Sequence, residues 1–233
     1  MTALLASVRS YDEAFDAAQA GAELIDLKEP RDGALGGVPV DEIARIVRAL
    51  RAHYPVKPIS AAIGDVPTEA LDDISMRVID VGATGVDYVK VGVTPGPAAR
   101  RCLTQLAGLP ATVVPVLLCD EGVDAELAEY AAELGFAGVM FDTASKNGRT
   151  LFDCVDMATL ARCLGVIGAH GSMTGVAGSL GWAQLAQIHA LAPDFAGFRT
   201  ALCAEGRAAR LDPKHVAQWA NALHHAPHEA HPA

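Results

Sequence analysis

The chain has 233 residues, of which 51% are hydrophobic and 20% are charged. This composition excludes a wholly disordered chain, and the length is enough for one large α/β domain with a substantial core. The formal net charge of −10 argues against a globally basic nucleic-acid-binding protein, because the phosphate backbone would repel it.

The apolar runs are far shorter than the roughly 18 residues that span a bilayer, so we expect no membrane segment. The amino terminus has neither a basic start nor a long apolar segment, and no secretory signal is predicted. The five cysteines are odd in number and lack C-x-x-C spacing, which argues against a disulfide framework or a structural zinc site. These features together predict a cytoplasmic protein.

Apolar runs of strand length alternate with amphipathic stretches of helical length along the chain. The predicted strands lie at 3–8, 24–28, 58–63, 88–93, 113–118, 138–142, 175–177 and 195–200. The predicted helices lie at 11–20, 40–52, 98–106, 125–134, 157–164, 182–191 and from 213 to about 223. Continuous apolar runs of this kind are typical of parallel strands that are covered on both faces.

Eight strand–helix units in a chain of this length predict a single-domain (β/α)8 TIM barrel over residues 1–223. A doubly wound open sheet is the alternative, but residues 8–12 contain no glycine-rich turn after the first strand. Residues 224–233 are rich in proline and histidine, and we expect them to form a disordered tail.

Lysine is scarce, since 13 of the 18 basic residues are arginine and only five are lysine. Lys28 ends the second predicted strand, Lys90 lies in the fourth, and Lys146 follows the sixth. Side chains alternate along a strand, so Asp26 faces the same way as Lys28, toward the barrel axis. By the same parity Lys90 and Asp142 face inward. We expect these five residues at the carboxyl-end mouth, where active sites of this fold lie.

Such a cluster has a chemical use. Neighbouring cations lower the pKa of at least one ammonium group, and the resulting free amine can attack a carbonyl to form a Schiff base. The adjacent carboxylates can then move protons on and off carbon and oxygen. The alternative is a set of structural ion pairs that fill the barrel.

The loops after the seventh and eighth strands suit a phosphate group. Gly178 allows close approach and Ser179 can donate a hydrogen bond at the start of a helix, which favours an anion. Arg199, Gly206 and Arg207 follow in the next strand and loop, and we include them in the predicted phosphate site. The alternative for Ser179 is an ordinary helix cap.

Two further segments border the predicted mouth. The glycine-rich stretch at 32–37 is either a mobile loop that shapes the mouth or a plain turn. Ser60 and Asp65 lie in the third strand and its following loop, and they are candidates for lining the pocket.

Several motifs resemble one known family, the (5-formylfuran-3-yl)methyl phosphate synthases of methanofuran biosynthesis. The resemblance extends to about Asp212 and is carried by IDLKEP at 25–30, GALG at 33–36, GDVP at 64–67, DYVKVG at 87–92, FDTASKNGRTLFD at 141–153 and AGSL at 177–180. The chain departs from the family pattern at 205–212, where the loop is shorter than in the archaeal proteins.

The resemblance implies a (β/α)8 lyase that condenses two molecules of glyceraldehyde 3-phosphate into a furan phosphate. It implies that Lys28 forms the Schiff base, that Lys90, Lys146, Asp26 and Asp142 assist proton transfer, and that no metal or organic cofactor takes part. It also implies a role in one-carbon metabolism, in methanogens or methylotrophic bacteria. We expect a phosphorylated small-molecule substrate, no nucleic-acid or membrane partner, and a homo-oligomer.

The mechanism expected on this basis begins with attack of Lys28 on one triose phosphate. Loss of a neighbouring proton and β-elimination of phosphate follow, and the enamine adds to the aldehyde of the second molecule. Another Schiff-base aldolase acting on a sugar phosphate remains an alternative, as does a non-catalytic barrel that binds a phosphorylated metabolite.

Overall fold

The structure, a computed structural model, describes residues 1–145 and 148–225 and contains a closed barrel of eight parallel strands. Each strand pairs with its neighbours in chain order, and β8 closes the barrel on β1. The strands are β1 Ala3–Val8, β2 Leu24–Leu27, β3 Ile59–Ala62, β4 Tyr88–Val93, β5 Val113–Leu118, β6 Gly138–Asp142, β7 Met173–Val176 and β8 Phe195–Phe198. The predicted TIM barrel is therefore confirmed.

Helices follow the strands and cover the outside of the barrel. They are α1 Tyr11–Gln19, α2 Val40–His53, α3 Leu71–Gly82, α4 Ala99–Ala107, α5 Ala125–Glu133, α6 Leu151–Cys154, α7 Met157–Ala169, α8 Leu185–Leu191 and α9 Pro213–His224. Within the part of the chain that the structure describes, no helix is long and apolar enough to cross a bilayer.

Some element boundaries differ from the predicted ones. Helix α3 was not predicted, and its first turn has no side-chain cap at Ala70, although Ile74, Val78 and Val81 are buried at helical spacing. Strand β7 begins two residues before the predicted start, and β8 ends before Arg199. Residues 226–233 lie outside the described residues, so the disordered tail remains a prediction.

Two apolar layers hold the barrel together. The outer layer lies between the strands and the helices, and it includes Ile25 and Leu27 of β2. The inner layer fills the barrel itself, with Leu5, Val116 and Met140 among its buried members. Alternation along each strand separates the two layers, which places the intervening polar residues of β2 and β4 inside the barrel.

Candidate active site

Asp26 is the centre of a polar network inside the barrel. Its side chain is fully buried, between Ser7 on β1 and Ser60 on β3, which are its register partners. The Ser60 hydroxyl donates to Oδ1 at 2.7 Å, and the Ser7 hydroxyl donates to Oδ2 at 3.1 Å. Two strands thus fix the carboxylate from opposite sides, and its orientation is set by the fold.

Two lysines converge on the same carboxylate oxygen. Lys90 Nζ donates to Asp26 Oδ2 at 3.0 Å, and the Lys90 side chain is 2% exposed. Lys28 Nζ lies 3.9 Å from that oxygen, and its side chain is 8% exposed. Burial alone would raise the pKa of the Asp26 carboxyl, but the ammonium groups of Lys90 and Lys28 outweigh burial and lower the pKa below its usual value. The structure therefore brings together three of the five predicted catalytic residues around an ionised carboxylate.

A cavity opens above this network at the carboxyl ends of the strands. Lys28 and Asp142 both line it, from β2 and β6. Asp142 is buried, and its Oδ1 accepts the Thr143 backbone N–H at 2.7 Å. Lys28 is thus the lysine of this pair that meets the cavity, whereas Lys90 lies deeper beside Asp26. Lys146 lies outside the described residues, so its predicted place rests on the sequence.

The predicted phosphate loop follows β7, the strand next to β6, and lines the same cavity. Gly178 has a φ of +107° and Ser179 a φ of +52°, so the backbone turns sharply as it leaves β7. A Cβ at position 178 would lie 3.1 Å from Leu151 Cβ, which explains the glycine. The Gly178 carbonyl also accepts the Leu151 N–H at 3.0 Å, which joins this turn to the start of α6.

Arg199 and Arg207 both line the cavity, but the guanidinium of Arg199 is bound by acceptors of the protein itself. The Arg199 guanidinium donates to both Glu13 carboxylate oxygens, at 2.6 and 3.2 Å. Its remaining hydrogens go to three backbone carbonyls, those of Ser7, Arg207 and Ala209. All five N–H groups have protein acceptors. The sequence predicted that Arg199 binds phosphate. Such a contact would require one of these five hydrogen bonds to break.

The Arg199–Glu13 pair also anchors the β8–α9 loop. Both side chains are buried, and Glu13 Oε1 accepts the Leu211 N–H at 3.3 Å. Burial alone would raise the pKa of Glu13, but its bonds to Arg199 and to the backbone outweigh burial and lower the pKa below 4.5. Arg199 thus positions the loop that carries Gly206 and Arg207, with Gly206 at a φ of +79°.

Replacing Arg199 by methionine should destabilise the protein by about 3–5 kcal/mol, because it leaves the Glu13 carboxylate buried without its cation. Chemical denaturation measures the change, and the double variant Glu13→Gln/Arg199→Met should recover part of the loss. A stable Arg199→Met protein that only binds substrate more weakly would contradict this structural role and favour direct phosphate binding.

The same ion pair predicts a pH dependence of stability. A carboxyl group with a lowered folded-state pKa stabilises the fold above its unfolded pKa, and this contribution is lost as the pH falls through the folded value. The stability difference between the wild type and Glu13→Gln should therefore be largest near neutral pH and shrink below pH 4.5. Denaturation midpoints measured across that range test the sign, and a constant difference would contradict it.

Some residues that shape the site were not predicted from the sequence. Asp120 follows β5, and its two carboxylate oxygens accept the N–H groups of Ala144 and Ser145 at 2.7 Å each. This pins the loop that leaves β6. Glu13 was also missed, because its spacing from Ser10 is that of an ordinary helix cap. The sequence around Glu13 and Asp120 does not indicate which distant residues they contact.

Solved structures share this fold at low sequence identity. 3-Hexulose-6-phosphate synthase from Salmonella typhimurium matches with a TM-score of 0.62 and 18% identity, over 96% of this chain and 100% of that one. 3-Keto-L-gulonate-6-phosphate decarboxylase from Vibrio cholerae O1 biovar El Tor matches with a TM-score of 0.62 and 13% identity, over 96% and 95%. At such identities the likeness shows the fold alone.

Sequence relatives are more informative. A Methylorubrum extorquens protein, provisionally named (5-formylfuran-3-yl)methyl phosphate synthase, is 37% identical over 96% of this chain and 92% of its own length. The (5-formylfuran-3-yl)methyl phosphate synthase of Archaeoglobus fulgidus is 28% identical over 95% of this chain and 99% of its own length. The family model described as 4-HFC-P synthase matches residues 4–220. The chain therefore belongs to the 4-HFC-P synthase family, which its sequence motifs predicted.

Proposed function

We propose that this protein is a (5-formylfuran-3-yl)methyl phosphate synthase that condenses two molecules of glyceraldehyde 3-phosphate through a lysine Schiff base. The observation that carries the proposal is the position of Lys28. Its side chain lines the same cavity as Asp142 and the Gly178–Ser179 turn, and its Nζ lies 3.9 Å from the Asp26 oxygen that Lys90 also contacts. The reaction would supply methanofuran-type cofactor biosynthesis.

Lys28 and Lys90 have different roles in the proposed reaction. Lys90 stays in its short ion pair with Asp26, and this fixed charge helps to hold the electron pair that develops on the bound substrate. Lys28, at the longer distance from Asp26, attacks the carbonyl of the first triose phosphate. The carbinolamine loses water, and the iminium that forms acidifies the neighbouring C–H bond.

Proton transfers complete the first half of the reaction. Asp142 lines the cavity with Lys28, and we assign it the removal of the proton next to the iminium carbon. The electron pair then expels inorganic phosphate from the terminal carbon of the same triose. Lys146 keeps the supporting role in proton transfer that the family resemblance implies.

The branching of the product defines the second half. In (5-formylfuran-3-yl)methyl phosphate, the CH2 that bears phosphate is attached to ring carbon C3, which has a ring carbon on each side. That CH2 is the terminal carbon of the second triose, so ring carbon C3 is the central carbon of that triose, and the new bond forms there. The second triose therefore reacts as its ketone tautomer, after a proton moves from its C2 to its C1, and not at the aldehyde carbon that was expected from the sequence. Ring closure and dehydration follow, and the balance is two triose phosphates to one furan phosphate, one phosphate and two waters.

The retained phosphate is assigned to the loop after β7. Gly178 and Ser179 line the cavity with Arg207, so the turn and one cation border the same space. Two phosphates enter for each product, and one leaves. The turn and Arg207 are the groups that hold the phosphate of the second triose in place.

Replacing Ser179 by glycine tests this phosphate assignment. Glycine tolerates the positive φ at this position, so the change removes the hydroxyl without adding backbone strain. The loss of one hydrogen bond to a charged group should raise KM about tenfold, with kcat changed much less. Initial rates over a range of substrate concentrations measure both constants, and an unchanged KM would contradict the assignment.

Incubation with glyceraldehyde 3-phosphate alone tests the proposed function. The expected result is a new ultraviolet absorbance from the conjugated furan aldehyde, with one inorganic phosphate released for each furan phosphate. An aldolase would consume substrate without a furan chromophore and without phosphate release. A barrel that only binds a phosphorylated metabolite would show neither product, and either result would overturn the proposal.

A further inference from the structure

The loop between β2 and α2 enters the mouth of the barrel. It begins with a short helical turn at Pro30–Asp32 and then carries Leu35 inward. Leu35 is only 1% exposed, and it belongs to the inner apolar layer with Val116, Met140 and Ala177. A side chain from a loop thus completes the top of the barrel interior.

Gly92 leaves the space that Leu35 fills. It lies two residues after Lys90 on β4, so it faces the barrel axis one position closer to the mouth. A Cβ at position 92 would lie 2.8 Å from Leu35 Cδ1 and 3.6 Å from Leu118 Cδ1. Leu35 is therefore seated on the mouth side of the buried lysine.

Two other loops hold this segment down. The Leu35 N–H donates to Asp65 Oδ1, in the loop after β3, at 3.0 Å. Gly33 has a φ of +120°, and a Cβ there would lie 1.6 Å from Asp65 Oδ2, so glycine is required for the carboxylate to enter. Arg207, in the β8–α9 loop, donates to the Gly33 carbonyl at 2.8 Å.

The cavity beside Lys28 is small, and Leu35 shares the inner apolar layer with Met140 and Ala177, which both line it. The cavity volume is about 30 Å³, whereas ligand pockets occupy roughly 300–1,000 Å³. We therefore expect part of the mouth to move when a triose phosphate binds. Arg207 both lines the cavity and holds the segment at 33–36, so it links a phosphate in the cavity to closure of this segment.

We propose that residues 33–36 form a lid, and that Leu35 determines the product by shielding the intermediate left after phosphate loss. The inference rests on the proposed function. That intermediate is a three-carbon iminium with an enol, still bound to Lys28. If water reaches it, one water hydrolyses the iminium, the terminal carbon takes a proton, and methylglyoxal leaves with the Lys28 amine restored. The sum of this side reaction is one triose phosphate to methylglyoxal and inorganic phosphate.

The test is the ratio of methylglyoxal to furan phosphate, measured by trapping methylglyoxal with a diamine and separating both products. Leu35→Ala removes most of the side chain that fills the mouth of the barrel. Gly92→Ala adds a methyl group that would lie 2.8 Å from Leu35 Cδ1 and so pushes Leu35 out of its place. Both should raise the ratio by at least about tenfold, because closure excludes water from the intermediate. Leu35→Met refills the space and should stay within about threefold of the wild type. Leu106→Ala is the matched control, a leucine equally buried in the outer layer.

The outcomes separate this inference from the proposed function. The lid proposal is wrong if Leu35→Ala and Gly92→Ala still form furan phosphate and give the same ratio of methylglyoxal to furan phosphate as the wild type. If Leu35→Ala fails to fold, Gly92→Ala decides, since it adds a single methyl group. An equal rise in Leu106→Ala would show general loosening and also overturn the lid. A wild-type protein that forms neither furan phosphate nor inorganic phosphate overturns the proposed function itself.

Discussion

Replacing Lys28 by arginine should reduce formation of the furan phosphate by at least about 10⁴-fold, as expected when a covalent nucleophile is removed. Arginine keeps the positive charge near Asp26 but does not lose its proton, so it cannot form a Schiff base. A lower rate of furan formation would therefore result from the missing nucleophile and not from a missing positive charge. Continuous ultraviolet assay of furan formation, combined with phosphate release, measures it.

Lys214→Ala is the matched control for this experiment. Lys214 is exposed in the first turn of α9, and its replacement should leave both rates unchanged. Activity of Lys28→Arg within about tenfold of the wild type, with the fold intact, would show that Lys28 does not act as the nucleophile.

Replacing Asp26 by asparagine should reduce both activity and stability. The new side chain has nearly the same size but leaves Lys90 buried without its anion, which should cost about 3–5 kcal/mol of unfolding free energy. The rate should fall by about 10²- to 10⁴-fold, because the charge that balances the lysines is lost. Denaturant titration and steady-state kinetics on the same preparation measure the two effects.

Ser60→Ala provides a graded control. It removes one hydrogen bond to Asp26 and leaves both lysine contacts in place, so the loss of stability should be only about 1–3 kcal/mol. Equal effects of Ser60→Ala and Asp26→Asn on stability and rate would contradict a special role for the buried ion pair.

The centre of the site was predictable because strand alternation is a local rule. The apolar residues Ile25 and Leu27 had to face the helices, which placed Asp26 and Lys28 inside the barrel. The same parity placed Lys90 inward on β4. Because lysine is scarce in this arginine-rich chain, lysines at inward-facing strand positions indicated a chemical role.

The rim of the site was less predictable because it depends on distant partners. Arg199 looked like a phosphate ligand, yet its guanidinium is bound by Glu13, 186 positions earlier in the chain. The glycine-rich stretch that contains Leu35 was either a mobile loop or a plain turn on the sequence alone, and only the structure shows that Leu35 is buried in the inner apolar layer. Alternation and periodicity carry no information on how loops from different strands meet.

Borohydride reduction in the presence of glyceraldehyde 3-phosphate, followed by peptide mass mapping, tests the central claim most directly. Reduction converts an iminium into a stable secondary amine, so the modified peptide identifies the nucleophile. The proposed mechanism predicts a triose-derived adduct on the peptide that contains Lys28, and no adduct there in Lys28→Arg. An adduct on Lys90 or Lys146 instead would contradict the assignment of Lys28, and no adduct on a folded, substrate-binding protein would contradict Schiff-base catalysis altogether.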